Sequence, residues 1–151
     1  MPSPAPLNVA RAAGFTLLEV LIAITIIVIL GAVVGINLKD LVPDSRQKAA
    51  KMQLGEFRTA LQIYINDNGF PPTQRQGLDA LVARPATPPV PQNYKPSGYV
   101  DSKSVPKDPW GRDYAYLSPA SDGGAFEVLC YGADGEEGGE GYDADLSSLR
   151  Q

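Results

Sequence analysis

Six carboxylates crowd into the stretch from Asp134 to Asp145, at Asp134, Glu136, Glu137, Glu140, Asp143 and Asp145, with four glycines interleaved. Such a cluster repels itself unless water or a cation comes between its members. Hard oxygen donors on a flexible loop suit Ca2+, which takes about six to eight oxygens and accepts backbone carbonyls among them. The spacing is not that of an EF-hand loop. On composition alone, calcium binding therefore stands beside a solvated surface loop or a disordered tail. Glu19 poses the opposite problem, as the single charge in the apolar run FTLLEVLIAITIIVILGAVVGI from Phe15 to Ile36. Little other chemistry is open. The chain has no His and a single Cys, Cys130, which excludes Ser-His-Asp and Cys-His nucleophilic catalysis, a zinc site built on His or Cys, and any disulfide within the chain. A calcium-dependent hydrolase working through Asp134 or Asp143 lacks a second acid–base group, so the expectation is a protein that catalyses no reaction.

The elements that must position these carboxylates divide the chain into two regimes. Of its 151 residues 44% are apolar, but the aliphatic ones concentrate in residues 15–42, while the rest is rich in Gly and Pro. A net charge of −4, with no Lys/Arg stripe, argues against nucleic acid as a partner. As a helix, the run from Phe15 to Ile36 measures about 33 Å at about 1.5 Å per residue, against a hydrocarbon core of about 30 Å. Residues 1–14 carry three prolines, small residues and Arg11, without the apolar density or periodicity of a folded element. They read as a leader. The small residues Ala12, Ala13 and Gly14 precede the apolar run instead of following it, as they would in an ordinary secretory signal. Cleavage after Gly14 leaves the run at the start of the mature chain, and Arg11 favours the leader on the cytoplasmic side. Two plainer readings are an uncleaved signal anchor with an incidental Glu, and a signal cut after Ala32. A carboxylate this deep in an apolar helix costs about 2.5–3.5 kcal/mol on insertion scales, so it calls for a partner. Cleavage supplies one in the new α-amino group at Phe15 of a neighbouring subunit, which makes burial of Glu19 conditional on assembly.

From Arg46 to Asn68, Ala50, Leu54, Phe57, Leu61, Tyr64 and Ile65 recur at spacings of three and four with charged residues between them, the period of an amphipathic helix. Its stripe packs on a small domain; a coiled-coil seam would need heptads sustained over more repeats. Pro43 marks a bend, so one long, interrupted helix is expected, ending at Asn68-Gly69 ahead of Pro71-Pro72. A short helix at residues 76–82 turns Leu78, Leu81 and Val82 inward, and PATPPVPQ up to Gln92 forms a rigid surface loop, a proline-motif ligand being the lesser reading. Lys107 to Tyr114 reads as a turn with Trp110 as a core plug. Residues 114–117 and 125–131 read as an antiparallel hairpin with Cys130 buried as a small hydrophobe.

Gly14 followed by Phe15-Thr16-Leu17-Leu18-Glu19 resembles the class III signal of type IV pilins and pseudopilins. That resemblance implies cleavage after Gly14 by a membrane prepilin peptidase, methylation of Phe15 and a subunit-docking role for Glu19. Four further blocks are similar, in order, to the major pseudopilin of type II secretion systems, the general secretion pathway protein G family: residues 64–73, 76–81, Asp108-Pro109-Trp110-Gly111, and Tyr131 to Gly139. The implied fold is α+β and type IV pilin-like. A long N-terminal helix, transmembrane in its first half, packs on a small antiparallel β-sheet domain with a calcium-binding C-terminal loop. The implied domains are a leader at 1–14, a filament-core helix at 15–42 and a periplasmic domain at 43–151. The implied Ca2+ ligands are the side chains of Asp134, Asp143 and Asp145 with main-chain oxygens near Tyr131 and Glu136, leaving Glu137 and Glu140 solvated. The implied function is a homopolymer, the inner-membrane-derived pseudopilus that drives export of folded proteins across the outer membrane. Its implied partners are minor pseudopilins, the inner-membrane assembly platform and the prepilin peptidase. A type IV pilin for adhesion or motility is the alternative, and the absence of a C-terminal Cys pair argues against it. Where the family carries Pro, this chain has Gly35-Ile36, so Gly35 is an expected flexible point in the helix.

Overall fold

The computed structural model describes residues 14–150, with side-chain surroundings for all of them except 33–41. Of the leader expected at residues 1–14, residues 1–13, with Arg11, lie outside the described residues. The chain divides into two compact units, Met1–Lys39 and Asp40–Gln151. One helix, α1, Leu17–Asn68, supplies residues to both.

In the first unit α1 is apolar on every side. Phe15, Leu17 and Ile27 are 84%, 86% and 67% exposed, and no side chain from Gly14 to Ala32 is covered. A helix of this composition has no polar face to turn to water, so its stability in isolation is poor and its surroundings must be apolar. Among the described residues no helix is long and apolar enough to cross a membrane. By sequence the apolar run continues past Ala32 to Ile36.

The expected interruption of this helix is not found. The backbone is helical at every position of α1, through Gly35 and through Pro43. Pro43 has no N–H to donate to the carbonyl four residues back, and the helix absorbs that single missing bond.

In the second unit the amphipathic stripe is buried as its period demands. Ala50, Leu54, Phe57, Leu61 and Tyr64 form the helix side of the core, joined by Ala60, and Ile65 packs at its margin. The helix ends at Asn68 because Gly69 takes a φ of +85°, the left-handed conformation that glycine alone adopts without strain, while its N–H still donates to the Ile65 carbonyl at 2.7 Å. The short helix is a 3-10 turn, Leu78–Leu81, that buries Leu78, Ala80 and Leu81; Val82 is only half-buried. The proline loop is anchored from within: the buried Gln76 donates through Nε2 to the carbonyls of Thr87 and Pro89 at 2.7 and 3.2 Å. That anchoring agrees with a rigid surface loop.

Three short strands, β1 at Ala115–Leu117, β2 at Glu127–Cys130 and β3 at Leu146–Ser147, form an antiparallel sheet in the order β1-β2-β3. Tyr116 pairs with Val128 and Cys130 with Leu146. Tyr114, Tyr116, Phe126, Val128 and Cys130 face the α1 stripe, with Phe57 and Tyr114 in edge-to-face contact at 5.1 Å between centroids. Trp110 is the correction here. It packs on the margin of the core instead of plugging it, because the turn around it turns one face of its indole to the Arg112 guanidinium, 5.8 Å from the ring centroid.

The C-terminal strand is held by a polar network. Ser148 is fully buried; its Oγ accepts from Val128 N–H and its N–H donates to the Val128 carbonyl, both at 2.9 Å. Glu127 is 4% exposed and accepts from the hydroxyl of Ser147 at 2.6 Å and from both the N–H and the hydroxyl of Ser121. Burial alone would push its carboxyl up, but the Ser121 and Ser147 hydrogen bonds and the charge of Arg150 outweigh burial and hold it below the ordinary value. A depressed folded-state value means that Glu127 contributes stability above its unfolded value, near 4.3, and that this contribution is lost as pH falls through the folded value. Replacing Glu127 by Gln is therefore expected to cost about 1–3 kcal/mol at neutral pH and to flatten the loss of stability in acid. Urea unfolding of both proteins across the acid range measures this, and parallel pH profiles would contradict it.

Candidate functional site

Glu19 sits in the first turn of α1, with Thr16 as the residue before the helix. The two cap the helix reciprocally: Glu19 N–H donates to Thr16 Oγ1 at 3.2 Å, and Thr16 N–H donates to a Glu19 carboxylate oxygen at 3.5 Å. This is a capping box, two otherwise orphaned amides satisfied by two side chains three residues apart. The Thr-x-x-Glu spacing was its sequence signal, hidden behind the question of what a charge does in an apolar run. Glu19 is exposed, as are Gly14 and Phe15 beside it. The carboxylate is thus stored at the positive end of the helix, where the backbone favours it.

The acidic loop follows β2 directly. Tyr131 carbonyl accepts from Gly135 N–H at 2.8 Å, and Asp134 Oδ1 accepts from Glu136 N–H at 3.1 Å, which closes the Tyr131–Glu136 turn. Ala133 N–H donates to the Tyr142 carbonyl at 2.9 Å, Asp143 N–H to Glu140 at 3.1 Å and Asp145 N–H to Gly138 at 3.1 Å, so the loop folds back on its own start. Gly132 makes that return possible: its φ is +47°, and a Cβ there would run into the main chain of Asp143. From α1, Gln47 donates through Nε2 to the Gly141 carbonyl at 2.7 Å.

The structure thus brings the main chain of Asp143 against Gly132, and Asp145 against Gly138, whose N–H donates to Asp145 Oδ2 at 2.9 Å. It does not gather the acidic side chains. Among the described residues no group of three or more His, Cys, Asp or Glu side chains is arranged to hold a metal ion. Asp134, Asp143, Glu136, Glu137 and Glu140 are exposed and Asp145 is half-buried. One atom is left over: Asp145 Oδ1 is buried without a hydrogen-bond partner. An unpaired carboxylate oxygen in a loop of carbonyls and carboxylates is an electron-pair donor of the kind a hard cation takes. The donor set of Asp134, Asp143 and Asp145 with the carbonyls of Tyr131 and Glu136 fits such an ion in chemistry.

Cys130 is 1% exposed at the edge of this loop. Burial, reinforced by the neighbouring Asp108 charge, pushes its thiol up to about 12. It is held as a protonated, weakly nucleophilic side chain, donating toward Asp108 Oδ2 at 3.6 Å.

The family model for type II secretion system (T2SS), protein G matches residues 37–149, and that for the prokaryotic N-terminal methylation motif matches residues 9–35. Type II secretion system core protein G of Vibrio cholerae serotype O1 is 47% identical over 135 residues, 89% of this chain and 90% of that protein. The protein of the same name in Pseudomonas aeruginosa is 38% identical over 135 residues, 89% of this chain and 93% of its own. Among solved structures, the major pseudopilin from the type 2 secretion system of enterohaemorrhagic Escherichia coli is similar, with a TM-score of 0.61 at 32% identity, covering 74% of this chain and 92% of that one.

Proposed function

The chain belongs to the type II secretion system protein G family, and from that premise we propose that it is the major structural subunit of a periplasmic pseudopilus. The subunit waits in the inner membrane as a single-pass protein, is cut after Gly14 and methylated at Phe15 by the prepilin peptidase, and moves into a filament whose growth drives folded proteins across the outer membrane. The observation that carries this reading is the uncovered apolar surface from Phe15 into α1 as far as Leu30, which calls for lipid or another apolar helix to cover it. Minor pseudopilins and the inner-membrane assembly platform are its further partners. A pilin for adhesion or motility is not favoured, since the matching relatives are named for secretion.

The N-terminal methylation motif over residues 9–35 supports Gly14 as the processing position. Glycine there lets the backbone enter the peptidase without a side chain to exclude. Gly14→Val is expected to leave at least about tenfold more uncleaved precursor than wild type, a barrier rise of about 1.4 kcal/mol or more. Intact-mass spectrometry of membranes reads this directly, and a variant beginning at a methylated Phe15 at wild-type yield would refute the assignment.

In the acidic loop, Asp134, Asp143 and Asp145 with the carbonyls of Tyr131 and Glu136 would hold Ca2+. Bound there, the ion would supply the positive charge that this run of carboxylates lacks. The unpartnered Asp145 Oδ1 supports this reading.

A further inference from the structure

The loop from Tyr131 to Asp145 is gripped at its start by a side chain that lies outside it. Arg112 Nη2 donates to the Gly132 carbonyl and Nη1 to the Ala133 carbonyl at 3.4 Å. The chain then closes over the guanidinium so tightly that a Cβ on Gly135, whose φ is +80°, would collide with Nη1. The guanidinium is itself fixed from two sides. Its face lies over the Trp110 ring, and its Nε donates to Asp108 Oδ2 at 3.4 Å.

Asp108 is the anchor of the arrangement. Its side chain is 3% exposed, and its Oδ1 accepts from the N–H of Trp110 and of Arg112 at 2.9 and 2.7 Å. Buried carboxylates persist when paired and hydrogen-bonded, and this one has both. The ion pair in turn immobilises the fork that meets the loop.

We propose that Arg112 is the positioning residue of the calcium loop, holding the turn that starts at Tyr131 in its ligand-presenting shape. This rests on the calcium reading given above. Two consequences of the geometry support it. The carbonyls of Gly132 and Ala133 are engaged by Arg112 and that of Tyr131 by Gly135 N–H at 2.8 Å, so three successive carbonyls at the start of the loop are fixed in direction. The guanidinium charge is also matched by Asp108, so the pair orders the turn without opposing a nearby cation. Lysine cannot reproduce this, because a single ammonium has no planar fork to span two successive carbonyls.

The test uses the full chain in detergent, titrated calorimetrically with CaCl2 and melted with calcium and with EDTA. Arg112→Met, which keeps the apolar stem, is expected to raise the calcium Kd about tenfold or more, the usual scale for residues that orient metal ligands. Its midpoint should fall in EDTA, because Asp108 loses its buried partner, and should fall clearly further in calcium. Arg112→Lys is expected to raise Kd as well, despite keeping the charge. A wild-type Kd in either variant, or midpoints that fall equally in calcium and EDTA, overturns the inference and reduces Arg112 to a general structural role. If Arg112→Met does not fold, Arg112→Lys decides by the same criteria. A wild-type chain that takes up no calcium refutes the calcium reading itself, a result seen before any variant is compared.

Discussion

Removing calcium is expected to lower the unfolding midpoint of the full chain by roughly 10 °C. The loop from Asp134 to Asp145 carries six carboxylates in one short stretch of sequence and leaves Asp145 Oδ1 buried without a partner. An ion bound only by the folded state stabilises it by mass action, about 2.7 kcal/mol at 100 times Kd. For a unit the size of Asp40–Gln151 that amounts to roughly 10 °C. The measurement is thermal unfolding with millimolar CaCl2 against excess EDTA at one fixed ionic strength. Fixed ionic strength matters because monovalent salt also screens exposed carboxylates. Magnesium serves as the second control: it holds its waters and prefers a stricter octahedron, so a loop of mixed carbonyls and carboxylates should respond to it far less. Asp145→Asn should shrink the calcium-dependent shift to a fraction of its wild-type size. An unchanged midpoint on chelation would sink the calcium reading and leave the loop as a solvated surface segment.

The parts of the molecule that were legible in the sequence are those where one periodicity or one residue type decides the outcome. Ala50, Leu54, Phe57, Leu61 and Tyr64 repeat with the helical period, and all five are buried. Gly69 stops the helix by a conformation that side-chain-bearing residues avoid, and Cys130 is buried as its position in an apolar strand predicts. The strand Leu146–Ser147 was not legible. Two residues carry no period, and what fixes them is the pairing of Ser148 with Val128 and of Ser147 with Glu127, contacts 20 residues apart in sequence. Arg112 was missed for the same reason. A lone charge beside Asp113 in a Gly-containing turn reads as solvated, and its carbonyl partners lie 20 and 21 residues ahead. Trp110 misled in the opposite direction, since aromaticity predicts burial while the turn presents its face to Arg112. The acidic loop was legible in composition, but the return of Asp143 onto Gly132 depends on a left-handed glycine that sequence spacing does not reveal.

Replacing Glu19 by Ala is expected to leave insertion and processing intact while reducing assembled filament at least about tenfold. In the chain as described, Glu19 already has a role: it closes the capping box with Thr16 at the start of α1. Loss of that contact frays the first turn at a cost of about 0.5–2 kcal/mol. Insertion should not suffer, because removing the carboxylate relieves a penalty of about 2.5–3.5 kcal/mol. In the proposed filament, assembly is where the charge would be needed. With the apolar surfaces of neighbouring helices covering one another, the α-amino group of a processed Phe15 would enter the same dry layer, where an uncompensated charge costs about 3–5 kcal/mol. Glu19→Gln separates the two roles. Glutamine suits the capping box as well as glutamate does, so the helix start is kept, but it carries no charge to offset the amine. Both variants should yield a methylated Phe15 terminus by mass spectrometry, and both should fail when sheared filaments are sedimented and compared with total processed subunit. Wild-type filament yield from Glu19→Gln would show that Glu19 acts through the cap alone, and that the charge pair between neighbours is not what sets assembly.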